Sequence, residues 1–145
     1  MEEVRQLLQQ ITKHFGLLNK NCCTVGGIEL SLVQSNILYE IDRQHQPSIQ
    51  QLADQLGMDI TTFSRQVQTL VQKQLVHKVA SASDKRVFIL SLTTQGKFVA
   101  TTIDHQVQSY LEQVFANIDE SERDGVSRSL RLLNESMGKA SSCCS

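Results

Sequence analysis

Apolar residues recur at steps of three and four from the start of the chain: Val4, Leu8, Ile11, Phe15 and Leu18. That spacing makes one stripe and predicts a helix over residues 2–18, with Gly16 weakening its last turn. Residues 19–30 break the pattern and read as a loop holding Cys22, Cys23 and Gly26-Gly27. The next helix starts at Ser31. In "SLVQ" the Ser31 and Gln34 side chains can each satisfy a free backbone N–H, a capping box. Ile37, Leu38 and Ile41 then share a face, and "RQHQP" closes the helix because Pro47 disfavours a helical residue before it. Ser48 opens a second box, "SIQQ", for a helix to about Gln55. Gly57 suits the left-handed turn that ends such a helix, and Asp59 caps another over residues 60–74.

This last helix has two faces. Phe63, Val67, Leu70 and Val71 form an apolar stripe; Thr62, Arg65, Gln66, Thr69 and Lys73 are placed opposite. After it, "VHKVAS" and "VFILSL" alternate as two strands joined by the polar tip "ASDKR". Val99, Ile103, Val107, Leu111, Val114 and Ile118 then mark a long helix over 94–117. "DESE" at 119–122 offers a cap, and Val126, Leu130, Leu133 and Met137 continue to Gly138. The fold class is mainly α with a small β-hairpin.

Composition agrees with one globular domain over residues 1–145: 40% apolar and 20% charged. No apolar run reaches the roughly 18 residues of a membrane span, and Glu2 and Glu3 precede no signal core, so a cytoplasmic protein is expected. Net charge is −1, which by itself does not point to nucleic acid. Its distribution does. Residues 61–97 hold Arg65, Lys73, Lys78, Lys85, Arg86 and Lys97 against Asp84 alone, a local +5 that leaves −6 for the rest.

A short helix, a turn with glycine and an amphipathic helix form a helix-turn-helix pattern over Ser48–Lys73, and the basic hairpin behind it completes a winged helix. Residues 52–97, "LADQLGMDITTFSRQVQTLVQKQLVHKVASASDKRVFILSLTTQGK", resemble the core of MarR-type bacterial transcriptional regulators. The matching features are the LA-x-x-LG helix, the Asp-capped "TTFSRQV", "LV" entering the first wing strand, the Asp84-x-Arg86 tip and "LSLTTQGK". Ala82 departs from the proline frequent there, and the tip has one acid where several are common. The resemblance implies a winged-helix core over 31–92 and helical dimerisation regions over 1–20 and 94–138; residues 139–145, past the last apolar stripe, are expected to be a flexible tail. It also implies a homodimer that binds palindromic double-stranded DNA, usually as a repressor. The long apolar stripes, which one small winged helix cannot cover, fit that expectation.

On the DNA face, Arg65 can pair with guanine O6 and N7, and Gln66 with adenine N6 and N7. Thr61, Thr62, Ser64 and Thr69 can meet phosphates or a thymine methyl. Lys85 and Arg86 can neutralise phosphates or enter a narrow minor groove, and Asp84, unsuited to phosphate, is expected to brace a wing cation.

Cys22 and Cys23 fall near the position where thiol- and zinc-sensing MarR-type members carry a cysteine. Adjacent cysteines rarely pair, so Cys143 or Cys144 of "SSCCS" is the candidate resolving thiol, and the two pairs could instead hold a soft ion such as zinc or trivalent arsenic. The zinc-sensing relatives use a histidine and an acid at the start of the second helix, where this chain has Ser35 and Asn36. A small organic effector, or cysteines with no effector role, are the other readings. No CxxC and no serine–histidine or paired-carboxylate set favours an enzyme. A thiol-dependent enzyme and a winged helix used only for protein contact are the remaining classes. No cofactor is required beyond a candidate regulatory soft metal or metalloid ion.

Overall fold

The computed structural model describes residues 1–22 and 24–140, with residues 16–22 described by backbone alone. Along them run α1 (Glu2–Cys22), β1 (Thr24–Val25), β2 (Ile28–Glu29), α2 (Leu32–Arg43), α3 (Ile49–Gln55), α4 (Ile60–Gln72), β3 (Val76–Ala80), β4 (Phe88–Leu92), α5 (Thr94–Ala116) and α6 (Glu120–Lys139). The contacts group into two compact units, Met1–Val107 and the chain from Gln108 onward, dividing within α5.

In the first unit, α1 outruns its predicted end. It passes through Gly16 and reaches Cys22, which is therefore a helix residue and not a loop residue. A glycine costs a helix roughly 1 kcal/mol relative to alanine, and the strong helix formers Leu17, Leu18 and Lys20 around it offset that. The predicted loop also holds a small hairpin, with Thr24 opposite Glu29 and Val25 opposite Ile28. Gly26 and Gly27 turn it with φ of 56° and 82°. The stripe on α1 is uncovered in the single chain: Val4, Leu8, Ile11 and Phe15 are 36–55% exposed.

The core sits among α2, α3, α4, the β3–β4 hairpin and the first half of α5. Ile37, Leu38, Leu52, Phe63, Leu70, Leu75 and Leu90 are fully buried. The capping boxes at Ser31 and Ser48 both form, and the Asp59 carboxylate accepts from the Thr62 N–H. β3 and β4 pair antiparallel from Val76–Leu92 to Ala80–Phe88. The segment before α3 adds to that sheet: Ser48 bridges Ile89, and the Leu90 N–H donates to the Pro47 carbonyl.

Helices α3 and α4 end in the same hydrogen-bond pattern. After α3, Met58 N–H donates to Ala53 and Gly57 N–H to Asp54; after α4, Leu75 donates to Leu70 and Gln74 to Val71. Both are Schellman motifs, whose pivot residue must be left-handed. Gly57 meets this at φ 65°, but the α4 pivot is Gln74 at φ 61°. α5 starts hard against this corner. Thr93 N–H donates to the Leu75 carbonyl, the Thr93 hydroxyl donates to the Gln74 carbonyl, and its oxygen accepts from Gly96 N–H. A Cβ on Gly96 would overlap the Leu75 carbonyl oxygen.

Of the predicted α5 stripe, Val99 and Ile103 are buried, whereas Leu111 and Val114 in the second unit are exposed. α6 has no buried residue. The expected side-chain cap at its start does not form. Asp119 instead accepts the Glu122 N–H through its main-chain carbonyl, and Arg123 Nε donates to the Ile118 carbonyl.

Candidate nucleic-acid interface

α4 projects its polar side from a start fixed by Asp59. One Asp59 oxygen accepts from Thr62 N–H at 3.0 Å and the other from the Thr62 hydroxyl at 2.6 Å. These contacts, the hydroxyl first, hold the Asp59 carboxyl below its ordinary value, with further help from the Thr61 backbone and the Arg65 charge. Thr62 is thus committed to the cap.

Phe63, Val67 and Leu70 define the buried side. Steps of about 100° per residue then put Thr61, Arg65, Gln68 and Gln72 diametrically outward, and all four are exposed. The sequence-assigned face is rotated from this row. Gln66, Thr69 and Lys73 lie on a half-buried flank. Gln66 Oε1 accepts from Gln34 Nε2 of α2, the Thr69 hydroxyl donates back to the Arg65 carbonyl, and Lys73 Nζ donates to the Glu29 carbonyl of β2 at 2.6 Å. Gln68 and Gln72 went unassigned. The helical period alone, centred on the three buried residues, would have found them.

On the opposite flank, a groove of about 480 Å³ separates α4 from the wing. Ser48, Gln50, Ile60, Ser64, Lys78 and Arg86 are among its lining residues. Ser64 is half-buried at its edge. Lys78 reaches it from β3 with its ammonium 4.5 Å from the centre of the Phe88 ring. At the tip, Asp84 accepts three hydrogen bonds from Arg86: from the backbone N–H at 3.0 Å, from Nε at 3.2 Å and from Nη2 at 3.4 Å. The Arg86 side chain, first, and its N–H hold the Asp84 carboxyl below its ordinary value. Arg86 remains 91% exposed, so the pair orients the guanidinium without withdrawing it. Lys85 is exposed beside it. Lys97, counted in the basic stretch, instead pairs with Asp42 of α2.

Of the candidate sensor residues, Cys22 ends α1, and Cys23, Cys143 and Cys144 lie outside the described residues. Among the described residues no group of three or more His, Cys, Asp and Glu is placed to hold a metal ion, and no helix is long and apolar enough to cross a membrane.

An outward-facing helix behind a Gly57 turn, with a braced basic hairpin beside it, defines the class: a winged helix-turn-helix protein. The sequence model of the MarR family matches residues 30–88, from the end of β2 into β4. Both α4 and the wing tip lie inside that match, which makes this segment similar to the MarR family. It is 25% identical over 99 residues to the HTH-type transcriptional regulator YxaD of Bacillus subtilis (strain 168), covering 68% of this chain and 69% of that one. In fold it is similar to Streptococcus pneumoniae FabT in complex with DNA, with a TM-score of 0.86, 17% identity and coverage of 95% and 97%. It is also similar to a mutant MarR from E. coli complexed with operator DNA, with a TM-score of 0.78, 19% identity and coverage of 90% and 93%.

Proposed function

We propose that this protein is a cytoplasmic, sequence-specific DNA-binding transcriptional regulator that acts as a homodimeric repressor on a palindromic operator and performs no catalysis. The observation that carries the reading is the outward row Thr61, Arg65, Gln68 and Gln72 on α4, set beside an exposed Arg86 that Asp84 orients. Arg65 reads guanine O6 and N7, and Gln68 and Gln72 can each read adenine by the same two-point geometry. Thr61 and Ser64 meet phosphate oxygens, and Lys78, Lys85 and Arg86 neutralise the backbone across the groove. The relative named as a transcriptional regulator, and the similar folds bound to DNA, support this reading.

The dimer is supported by apolar surface. Val4, Leu8, Ile11 and Phe15 on α1, and Leu130, Leu133 and Met137 on α6, are all at least 36% exposed. A second copy covers them, and its two-fold axis places two reading helices one or more DNA turns apart, each turn roughly 34–36 Å.

The effector acts through thiols. Cys22 ends α1, directly before the hairpin whose Glu29 carbonyl holds Lys73 of α4, so a change at Cys22 or Cys23 has a short route to the reading helix. Either a peroxide oxidises one thiolate to a sulfenic acid, which condenses with a Cys143 or Cys144 thiol and releases water, or a soft ion such as trivalent arsenic or zinc bridges the thiolates.

The test is selection of bound DNA from a random pool. Affinity for the selected site is then measured with reduced, peroxide-treated, arsenite-treated and zinc-treated protein, beside Cys22→Ser and Cys23→Ser. A palindromic site released by one treatment, and insensitive in one serine variant, is expected. No enriched site ends the DNA reading; an enriched site indifferent to every treatment ends the thiol reading alone.

A further inference from the structure

We propose that Gln34 sets the hydrogen-bonding polarity that Gln66 shows to DNA, so that Gln66 meets only acceptor edges of bases. The inference rests on the DNA-binding reading above. It starts from a group that cannot reverse. The Ser31 main-chain N–H donates to Gln34 Oε1 at 3.1 Å. An N–H needs an acceptor, so that end of the Gln34 amide is its oxygen and the other end is Nε2. Nε2 donates to Gln66 Oε1 at 3.1 Å. A donor there requires an oxygen on Gln66. One backbone N–H therefore orients both amides in series, and the Ser31 hydroxyl, accepting from Gln34 N–H at 3.1 Å, pins the Gln34 backbone in the capping box.

Gln66 is left with N–H donors on its half-buried flank of α4, next in sequence to the outward Arg65. In the major groove, donors suit guanine O6 and N7, thymine O4 and adenine N7. They have no partner on the cytosine amino group. The two-point adenine contact needs both ends of the amide on the base edge, and the Gln66 oxygen is directed at Gln34 Nε2 instead. Gln34 is thus a positioning residue for base choice that itself touches no base.

Gln34→Glu is the discriminating variant. A glutamate still accepts the Ser31 N–H, because it is the usual residue at this position of a capping box. Its other oxygen, however, can only accept. Gln66 must then turn Nε2 inward and Oε1 outward. Site selection is run on the wild type, Gln34→Glu and Gln66→Ala, with thermal melts to establish folding. The wild type should favour guanine or thymine on the contacted strand at one position of each half-site. Gln34→Glu should move that position toward adenine or cytosine by roughly five- to ten-fold in relative affinity, and Gln66→Ala should level it. The added charge lowers affinity for all sequences alike and leaves the ratio between bases untouched. Unchanged preferences in both variants, with or without a uniform loss of affinity, overturn the proposal while the DNA reading stands. A folded wild type that enriches no sequence overturns both.

Discussion

Replacing Gly96 with alanine tests the corner where the wing feeds α5. Two opposing effects decide the sign. Alanine is the better helix former by roughly 0.8–1 kcal/mol, so propensity alone predicts stabilisation. Against it stands the new Cβ, which would overlap the Leu75 carbonyl oxygen. The obstacle is backbone, so no side chain can swing away. The same carbonyl accepts the Thr93 N–H, so moving it also strains the link between the end of β4 and α5. Overpacking of this kind costs about 1–3 kcal/mol, and a weakened hydrogen bond about 0.5–1.5 kcal/mol more. The balance is destabilisation by about 1–3 kcal/mol. For a chain of this size, that is a fall in Tm of roughly 3–10 °C at fixed protein concentration. Thermal unfolding followed by circular dichroism measures it. A Tm equal to or above that of the wild type would mean that α5 does not approach Leu75 this closely, and the account of the wing–helix junction would fail.

Gln74→Gly should act in the opposite direction. A non-glycine residue in the left-handed region costs roughly 1–2 kcal/mol, and glycine's greater unfolded freedom returns part of that, leaving a gain near 0.5–1 kcal/mol, read as a Tm rise of a few degrees. No rise would show that the Gln74 side chain contributes more than its pivot strain costs. Asp59 is a carboxylate with a lowered pKa, so its cap supports α4 above the ordinary carboxylate value of about 3.9 and is lost as pH falls through the depressed folded value. Asp59→Asn should therefore flatten the acid side of the stability–pH profile, and an unaltered profile would remove the cap from the account. Lys73→Met should loosen the hairpin at Glu29 and speed amide exchange in residues 24–30 without changing the salt dependence of DNA binding. A shallower salt slope would place Lys73 on phosphate instead of on the Glu29 carbonyl.

The features legible in the sequence are those decided within a few residues. The Ser31 and Ser48 boxes, the Asp59 cap, the Gly57 turn and the two wing strands each depend on chemistry three or four positions away. The features that escaped depend on distant partners. Gln34 and Gln66 meet across 32 positions, and Lys73 and Glu29 across 44. No local pattern announces either pairing, so Gln66 and Lys73 read as free polar residues. "TTQGK" was visible as a motif, but the need for glycine at Gly96 follows only from how closely Leu75 passes it. The left-handed Gln74 was hidden because glutamine gives no turn signal. Periodicity identified the stripes on α1 and α5, yet it does not say what covers them: Val99 and Ile103 are buried within the chain, while Ile11 and Leu111 are not. The outward row through Gln68 follows from the helical period once the buried centre is Phe63, Val67 and Leu70; adding the half-buried Val71 to the stripe rotates the opposite face toward Thr62 and Thr69.

The measurement that bears most directly on the central claim is the salt dependence of binding to the selected DNA site, for the wild type and for Arg86→Ala. Each neutralised phosphate contributes about −0.9 to the slope of log affinity against log salt. The wild type should show a steep slope of several units, and Arg86→Ala should weaken binding and make the slope shallower by about one unit. Wild-type binding with no salt dependence, or the same slope in the variant, would contradict a wing that grips the DNA backbone through Arg86.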